Sequence, residues 1–354
     1  MATQNTPEPV PASAQFPALM PAIGARGRLP VSDPGSLSDI SLPVPTPKGR
    51  DLLVEVQGVS VNPVDVKMRA SAPVEGAPKI LGYDAAGVVV AVGDDVSRFA
   101  VGDRVYYAGQ NDRPGTDARY HLVNENIVGH APRTLSVAEA AALPLTAITA
   151  WESLFDRLAL DRESEGTILV IGAAGGVGSM IIQLAKALTR LQVIAVASRP
   201  ETADWVRRMG ADHVVGRDFT AAVSAIAPSG VDYVFTSFTP GNVRAIADVI
   251  RPRGQVVSID ETGGSIDALK AKSATWHWEL MFTRPVTDPA DAYQHDLLER
   301  VAELVDGGIL RSTVTTHLTP LDAATLRRAH EIVEGSRTIG KVVVTHWPEA
   351  HQLS

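Results

Sequence analysis

The sequence predicts an α/β protein of two domains, a β-rich unit followed by a doubly wound parallel sheet. Three observations predict it. The chain is 354 residues long with 45% hydrophobic content, too long for one average domain and comfortable for two. Up to about Pro144 it consists of short β-branched runs broken by Gly, Pro and Asp. After Leu145, strand-like runs alternate with helix-length stretches, as in a parallel sheet wrapped by helices.

Taken in order, residues 1–15 are rich in Pro, Ala and Thr, lack the basic start and apolar core of a signal peptide, and read as a disordered lead-in. Runs at 52–56, 86–92, 104–108 and 118–123 are the expected strands of the first unit. In the second half the runs are 168–171, 193–197, 231–235 and 255–259. Ile181, Leu184, Ala185 and Leu188 fall at i, i+3, i+4 and i+7 and predict one buried helical stripe. A second helix over 201–209 stops at Gly210, a suitable C-cap, before the extended 211–215. Trp276, Trp278 and Phe282 stand at even spacing and suit one face of a strand. A helix over 291–305 ends at Gly307-Gly308, and strand-like text at 313–318 and 341–345 is expected to return to the first unit. There is no internal repeat.

Composition narrows the function. The net charge of −8 is spread along the chain with no block of Lys or Arg, which argues against nucleic acid. No apolar run approaches the roughly 18 to 20 residues that cross a bilayer. A soluble, cytoplasmic protein acting on a small molecule is expected, with no membrane partner. The chain has no cysteine, hence no disulfide, no thiolate nucleophile and no thiolate metal ligand. His121, His130, His213 and His277 lie on separate segments without metal-like spacing and read as structural.

The strongest local signal is 168–178, a buried strand, a glycine-rich turn and a helix start in succession. A dinucleotide pyrophosphate needs this arrangement. Gly172, Gly175 and Gly176 let the backbone approach the phosphates, the amides around Val177 donate to them, and Gly178 lets helix and strand pack closely. The spacing is G-x-x-G-x-x-G, not the G-x-G-x-x-G of many NAD enzymes. The next strand should end near the adenosine ribose, where a carboxylate would accept from the 2′-OH and repel a 2′-phosphate. Here stand Ser198 and Arg199, a hydroxyl and a guanidinium suited to a phosphate dianion, so NADPH is expected ahead of NADH. Arg217, after the following strand, is a second candidate for that phosphate. The alternative is that Arg199 is a solvated charge, with Glu201 close enough to swing in.

Six motifs occur in order: 60–65 (Ser-Val-Asn-Pro-Val-Asp), 81–89 (Leu-Gly-Tyr-Asp-Ala-Ala-Gly-Val-Val), 101–105 (Val-Gly-Asp-Arg-Val), 142–146 (Ala-Leu-Pro-Leu-Thr), the glycine loop, and 340–343 (Gly-Lys-Val-Val). Together they closely resemble the medium-chain dehydrogenase/reductase superfamily, in particular its quinone-oxidoreductase branch, over nearly all of 16–345. The segment 274–284 resembles a subgroup labelled zinc-type alcohol dehydrogenase-like. The resemblance implies a GroES-like β-barrel catalytic domain from 16–145 and 285–354 and a Rossmann cofactor domain from 146–284. It implies a homodimer paired through the edge strand carrying Trp276 and Phe282. It also puts Asn62 and Asp65 beside the nicotinamide, Thr146 on its carboxamide and Lys341 among the cofactor-binding residues.

Zinc members of the superfamily carry Gly-His-Glu where this chain has Gly82-Tyr83-Asp84, and use cysteines at both metal sites; no zinc is expected here. Substrates whose own conjugation accepts hydride, quinones, enones and enals, are therefore expected. Phe238 and Thr239 follow the 231–235 strand, where such sheets place their cofactor crevice. The resemblance-based roles compete with plainer ones: Asn62-Pro63 as a turn, Asp65 as a helix cap, Thr146 as an N-cap, and Tyr83 as a core tyrosine instead of a pocket wall or proton donor. Two other functions stay open, a zinc-dependent alcohol dehydrogenase and a non-catalytic NADPH-binding protein.

Overall fold

A computed structural model describes residues 16–348, so the expected lead-in at 1–15 lies outside the described residues. The first part contains β1 (Leu19–Ala25), β2 (Leu37–Pro43), β3 (Asp51–Val61), β4 (Lys79–Ile80), β5 (Ala85–Val92), β6 (Arg104–Tyr107), β7 (Tyr120–Asn124) and β8 (Val128–His130). The helices α1 (Pro63–Ala70), α2 (Val137–Ala141) and α3 (Pro144–Trp151) belong to the same half. Next come β9 (Thr167–Ile171), β10 (Gln192–Val196), β11 (His213–Val215), β12 (Val231–Thr236), β13 (Ile250–Ser258) and β14 (Thr275–Trp278). They are interleaved with α4 (Gly176–Leu188), α5 (Pro200–Met209), α6 (Thr220–Ile226) and α7 (Val243–Val249). The chain closes with α8 (Thr283–Thr287), α9 (Tyr293–Asp306), β15 (Val314–Leu318), α10 (Ala323–Glu334) and β16 (Lys341–Thr345).

The six strands β9 to β14 form one parallel sheet in the order β11-β10-β9-β12-β13-β14. Residue alternation sorts its two faces. Ile168, Val170, Val193 and Ala195 pack against Ile181, Leu184 and Val206 on one side, while Leu169, Ile171 and Ile194 pack against Val223 and Ile246 on the other. Burial on both faces explains why these strands read as unbroken apolar runs. The other large sheet runs β15-β16-β3-β5-β6-β8, with β7 also on β3, and a small sheet joins β2, β1 and β4. The closing strand β16 pairs antiparallel with β3, Val342 opposite Val61, so the chain's end does return to its first part.

Two expectations need correction. The helix α4 is buried all round from Gly178 to Ala185, not along one stripe, because Gln183 on its far side bonds both the amide and the carbonyl of Arg311. The strand expected to reach Phe282 stops at Trp278. There the Glu279 side chain turns inward to Arg157, 2.8 Å away, and Phe282 sits beyond it in a turn ahead of α8.

Candidate active site

The site is assembled around the mouth of β9. Gly172 takes φ +82°, a conformation that favours glycine, and a Cβ there would stand 2.1 Å from the Ser237 hydroxyl. A Cβ on Gly178 would come within 2.4 Å of the Gly172 carbonyl oxygen, so the close approach of α4 to its strand depends on that hydrogen. Gly176 rests on side chains: its Cβ would lie 2.8 Å from Lys341 Cδ and 2.9 Å from Thr146 Cγ2. The same Cβ on Gly175 would meet nothing nearer than 3.4 Å. The amides of Gly176, Val177 and Gly178 open a 13-residue helix and have no carbonyl within it to bond, so the helix head offers donors and a partial positive charge. The loop is held from the far end of the chain by the Gly340 amide, which donates to the Ala174 carbonyl at 2.8 Å.

Beneath this loop lies a closed polar cluster centred on Asp84. Its Oδ2 accepts from the Ser60 hydroxyl at 2.6 Å, the Asn62 amide at 2.9 Å and the Lys341 ammonium at 3.0 Å, and its Oδ1 accepts from the Leu145 amide at 2.8 Å. Lys341 also donates to Asn62 Oδ1, so both ends of the Asn62 amide are engaged inside the protein. Asp65 accepts from the backbone N–H of Asn62 at 2.7 Å and of Gly82 at 3.1 Å. It therefore caps α1, the plainer of its two expected roles. Burial pushes its carboxyl up to about 7 despite those amides and Lys341. Thr146 is not the cap of α3, which is Leu143; its hydroxyl donates back to the Leu143 carbonyl at 3.0 Å and its methyl faces Gly176.

Tyr83 is fully buried and its hydroxyl has no hydrogen-bond partner among the described residues. Burial first, then the charges of Asp65 and Asp117, raises the pKa of that hydroxyl. The Phe282 ring meets it edge-on, centroids 5.2 Å apart. At the outer edge of the sheet, β10 and β11 run side by side, Val196 beside Val215, so Ser198 and Arg199 leave the sheet next to the exposed Arg217. Ser198 is exposed too, while Arg199 is half-buried. Arg199 donates to the Arg337 carbonyl at 2.9 Å, and its Nε stands 2.9 Å from Glu201 Oε1 without hydrogen-bond alignment. Phe238 is exposed beside Gly172, whereas Thr239 is buried and donates through both amide and hydroxyl to Asp260.

The structure thus brings Asn62, Asp65, Tyr83, Thr146 and Lys341 together around the loop, and sets Ser198, Arg199 and Arg217 apart along one sheet edge. The reading from residues alone missed Asp84 as the centre, Asp117, Phe282 and Arg337; Asp84 stood in a quoted motif, but nothing local marks its four donors. All four histidines have neighbours: His121 the Tyr107 hydroxyl, His130 Glu299, His213 Gln192 and His277 Gln255.

With Tyr83 where the zinc relatives have histidine, no cysteine in the chain, and Asp84 already enclosed by an ammonium and three further donors, the residues do not fit the metal. Among the described residues no group of three His, Cys, Asp or Glu side chains is placed to hold one. No helix among them is long and apolar enough to cross a membrane.

Two family profiles match the chain, the alcohol dehydrogenase GroES-like domain over residues 48–149 and the zinc-binding dehydrogenase family over residues 209–344. A zinc-type alcohol dehydrogenase-like protein of Staphylococcus epidermidis is 38% identical over 335 residues, covering 92% of this chain and 99% of the relative. The 2-methylene-furan-3-one reductase of Solanum lycopersicum is 31% identical over 297 residues, 78% of this chain and 74% of that one. Among solved structures, a Rhizobium etli CFN 42 protein named for zinc-dependent alcohol dehydrogenase superposes with a TM-score of 0.90 at 47% identity, over 94% of this chain and all of that one.

Proposed function

From the premise that this chain belongs to the medium-chain dehydrogenase/reductase superfamily and is an oxidoreductase, we propose that it uses NADPH to reduce quinones or other conjugated carbonyls, enones and enals, without a metal. The observation that carries this reading is the head of α4, which packs tightly on its strand at Gly178 and on Lys341 and Thr146 at Gly176, and whose first-turn amides have no carbonyl within the helix to bond. Those amides would hold the cofactor's pyrophosphate, with Lys341 and Thr146 packed beneath them. Ser198 and Arg199, with Arg217 alongside, would take a 2′-phosphate; no carboxylate ends β10 to favour a bare ribose, and Glu201 is the group Arg199 must leave. When bound, the nicotinamide supplies the hydride.

The chain's own part is to orient, to exclude water and to deliver a proton. Asp84, through Ser60, Asn62, Leu145 and Lys341, fixes four segments around the cleft, so acceptor and cofactor meet at set positions. The Tyr83 hydroxyl, without a hydrogen-bond partner among the described residues, would be the donor that meets charge on the acceptor oxygen. Its raised pKa keeps it protonated across the neutral range. A conjugated acceptor suits this arrangement because delocalisation replaces the Lewis acid that these residues cannot hold. The name of the tomato relative, a reductase of an exocyclic enone, supports the same class.

The testing experiment is a steady-state assay with NADPH against a series of quinones and enones, and with NADP+ against simple alcohols, alongside metal analysis of the purified protein. Turnover of the conjugated acceptors with far less than one zinc per chain is expected. Alcohol oxidation with about one zinc per chain would replace this reading by that of a zinc dehydrogenase. We further propose a homodimer joined at β14, an edge strand bearing the half-exposed Trp278, to be checked by light scattering.

A further inference from the structure

A buried hydroxyl without a partner is uncommon in a folded protein, because each such group forfeits the hydrogen bonds it had in water. Tyr83 is such a case, and the Phe282 ring, 3% exposed, packs edge-on against it with centroids 5.2 Å apart. The two side chains come from opposite parts of the fold, Tyr83 from the segment before β5 and Phe282 from the turn after β14. The backbone around Phe282 is tied on both sides. The Met281 carbonyl accepts from Gln294 at 2.7 Å, the Pro285 carbonyl accepts from Gln110 at 3.0 Å, and Arg284 pairs with Asp156 and Asp291 at 2.8 Å each. With the segment pinned, opening a way to Tyr83 falls to the ring itself, by rotation of its side chain.

We infer that Phe282 is the specificity-determining residue of the acceptor site: its ring stands where a flat acceptor would lie, and it turns aside to let an uncharged conjugated carbonyl reach the Tyr83 hydroxyl. The inference rests on the reductase reading above. Shape argues for a flat acceptor, because the space gained is that of one aromatic ring. Charge argues for a neutral one. The buried Lys341 ammonium is already committed to Asp84, so it offers no free cation to an anionic acceptor, and burying an unpaired anion there would be costly.

The test uses the full chain as wild type, Phe282→Ala and Phe282→Leu, with two readouts. The first is peptide-resolved nitration of tyrosines by tetranitromethane, in which the fully buried Tyr106 and Tyr107 serve as controls for folding. Tyr83 is expected to be as protected as these two in the wild type. In Phe282→Ala it should react about tenfold faster, as a phenol whose pKa falls by one unit on uncovering would, with Tyr106 and Tyr107 unchanged. The second is the ratio of kcat/KM for 1,4-naphthoquinone to that for 1,4-benzoquinone. It should rise about fivefold or more in Phe282→Ala, with a smaller rise in Phe282→Leu.

A folded Phe282→Ala protein in which Tyr83 stays protected, or one with Tyr83 uncovered and an unchanged ratio, overturns the inference. If Phe282→Ala exposes Tyr106 and Tyr107 as well, Phe282→Leu decides by the same criteria. If Tyr83 is uncovered but no variant, wild type included, reduces any quinone or enone, the cover role stands and the reductase reading falls.

Discussion

The glycine loop at the head of α4 and the Asp84 cluster beneath it touch through Gly176 and Lys341, yet they are built on opposite principles. In the loop the backbone is the working part and side chains are kept away. In the cluster the backbone is scaffolding, and side chains from β3, the start of α1, the segment before β5 and β16 satisfy one another. The loop has donors to spare and is made to receive something, whereas the cluster has its polar groups paired and is made to stay shut.

The comparison is broken most severely at Lys341. Lys341→Met leaves the Asp84 carboxylate buried without its cation and is expected to cost about 3–5 kcal/mol, measured by denaturant unfolding. If Asp84→Asn in the same protein restores part of the loss, the pair, and not the volume of the lysine, is responsible. Gly178→Ala attacks the other surface. The added methyl meets the Gly172 carbonyl at 2.4 Å and must push α4 off its strand, costing about 1–3 kcal/mol and weakening NADPH binding by roughly ten- to a hundredfold. Similar losses of stability and binding in both variants would mean that the two surfaces are one unit.

How far each surface could be read from the residues follows from the same contrast. Glycines at 172, 175, 176 and 178 between an apolar strand and a helix declare a loop because backbone function is set by which residues lack a Cβ. The sheet was legible for a related reason, since unbroken apolar runs follow from burial on both faces. The Asp84 cluster joins residues 60, 62, 84, 145 and 341, and no local pattern reveals that these four distant stretches meet. Phe282 was misread because even spacing cannot show where pairing stops. The inward turn of Glu279 to Arg157 ends β14, and that salt bridge spans 122 residues.

A gentler probe of the closed surface is pH. The carboxyl of Asp65 is held at about 7 in the folded protein against an ordinary 3.8, so the folded state keeps its proton longer than the unfolded chain does. Its contribution to stability is fully present below the unfolded value and is lost as pH rises towards 7. Unfolding free energy measured from pH 5 to 8 should carry this falling component up to about pH 7 and none beyond. Asp65→Asn should make the slope below about pH 7 shallower even though it lowers stability throughout, leaving the part carried by Asp117 and Glu152, whose carboxyls burial also raises. A slope unchanged by the substitution would assign all of it to other groups.

The smallest expected effect is at the sheet edge. Arg337, whose carbonyl accepts from Arg199, should contribute through its exposed guanidinium; Arg337→Ala is expected to weaken NADPH binding by about 0.5–1 kcal/mol and to leave NADH binding unchanged. Fluorescence titration would resolve a change of that size.

The most direct test of the central claim is titration of the wild-type protein and of Arg199→Ala with NADPH and NADH. The account predicts wild-type binding of both nucleotides, with NADPH held about tenfold or more tightly, and an advantage that largely disappears in Arg199→Ala. Equal affinities in the wild type, an NADPH affinity untouched by the substitution, or no binding of either nucleotide would contradict it.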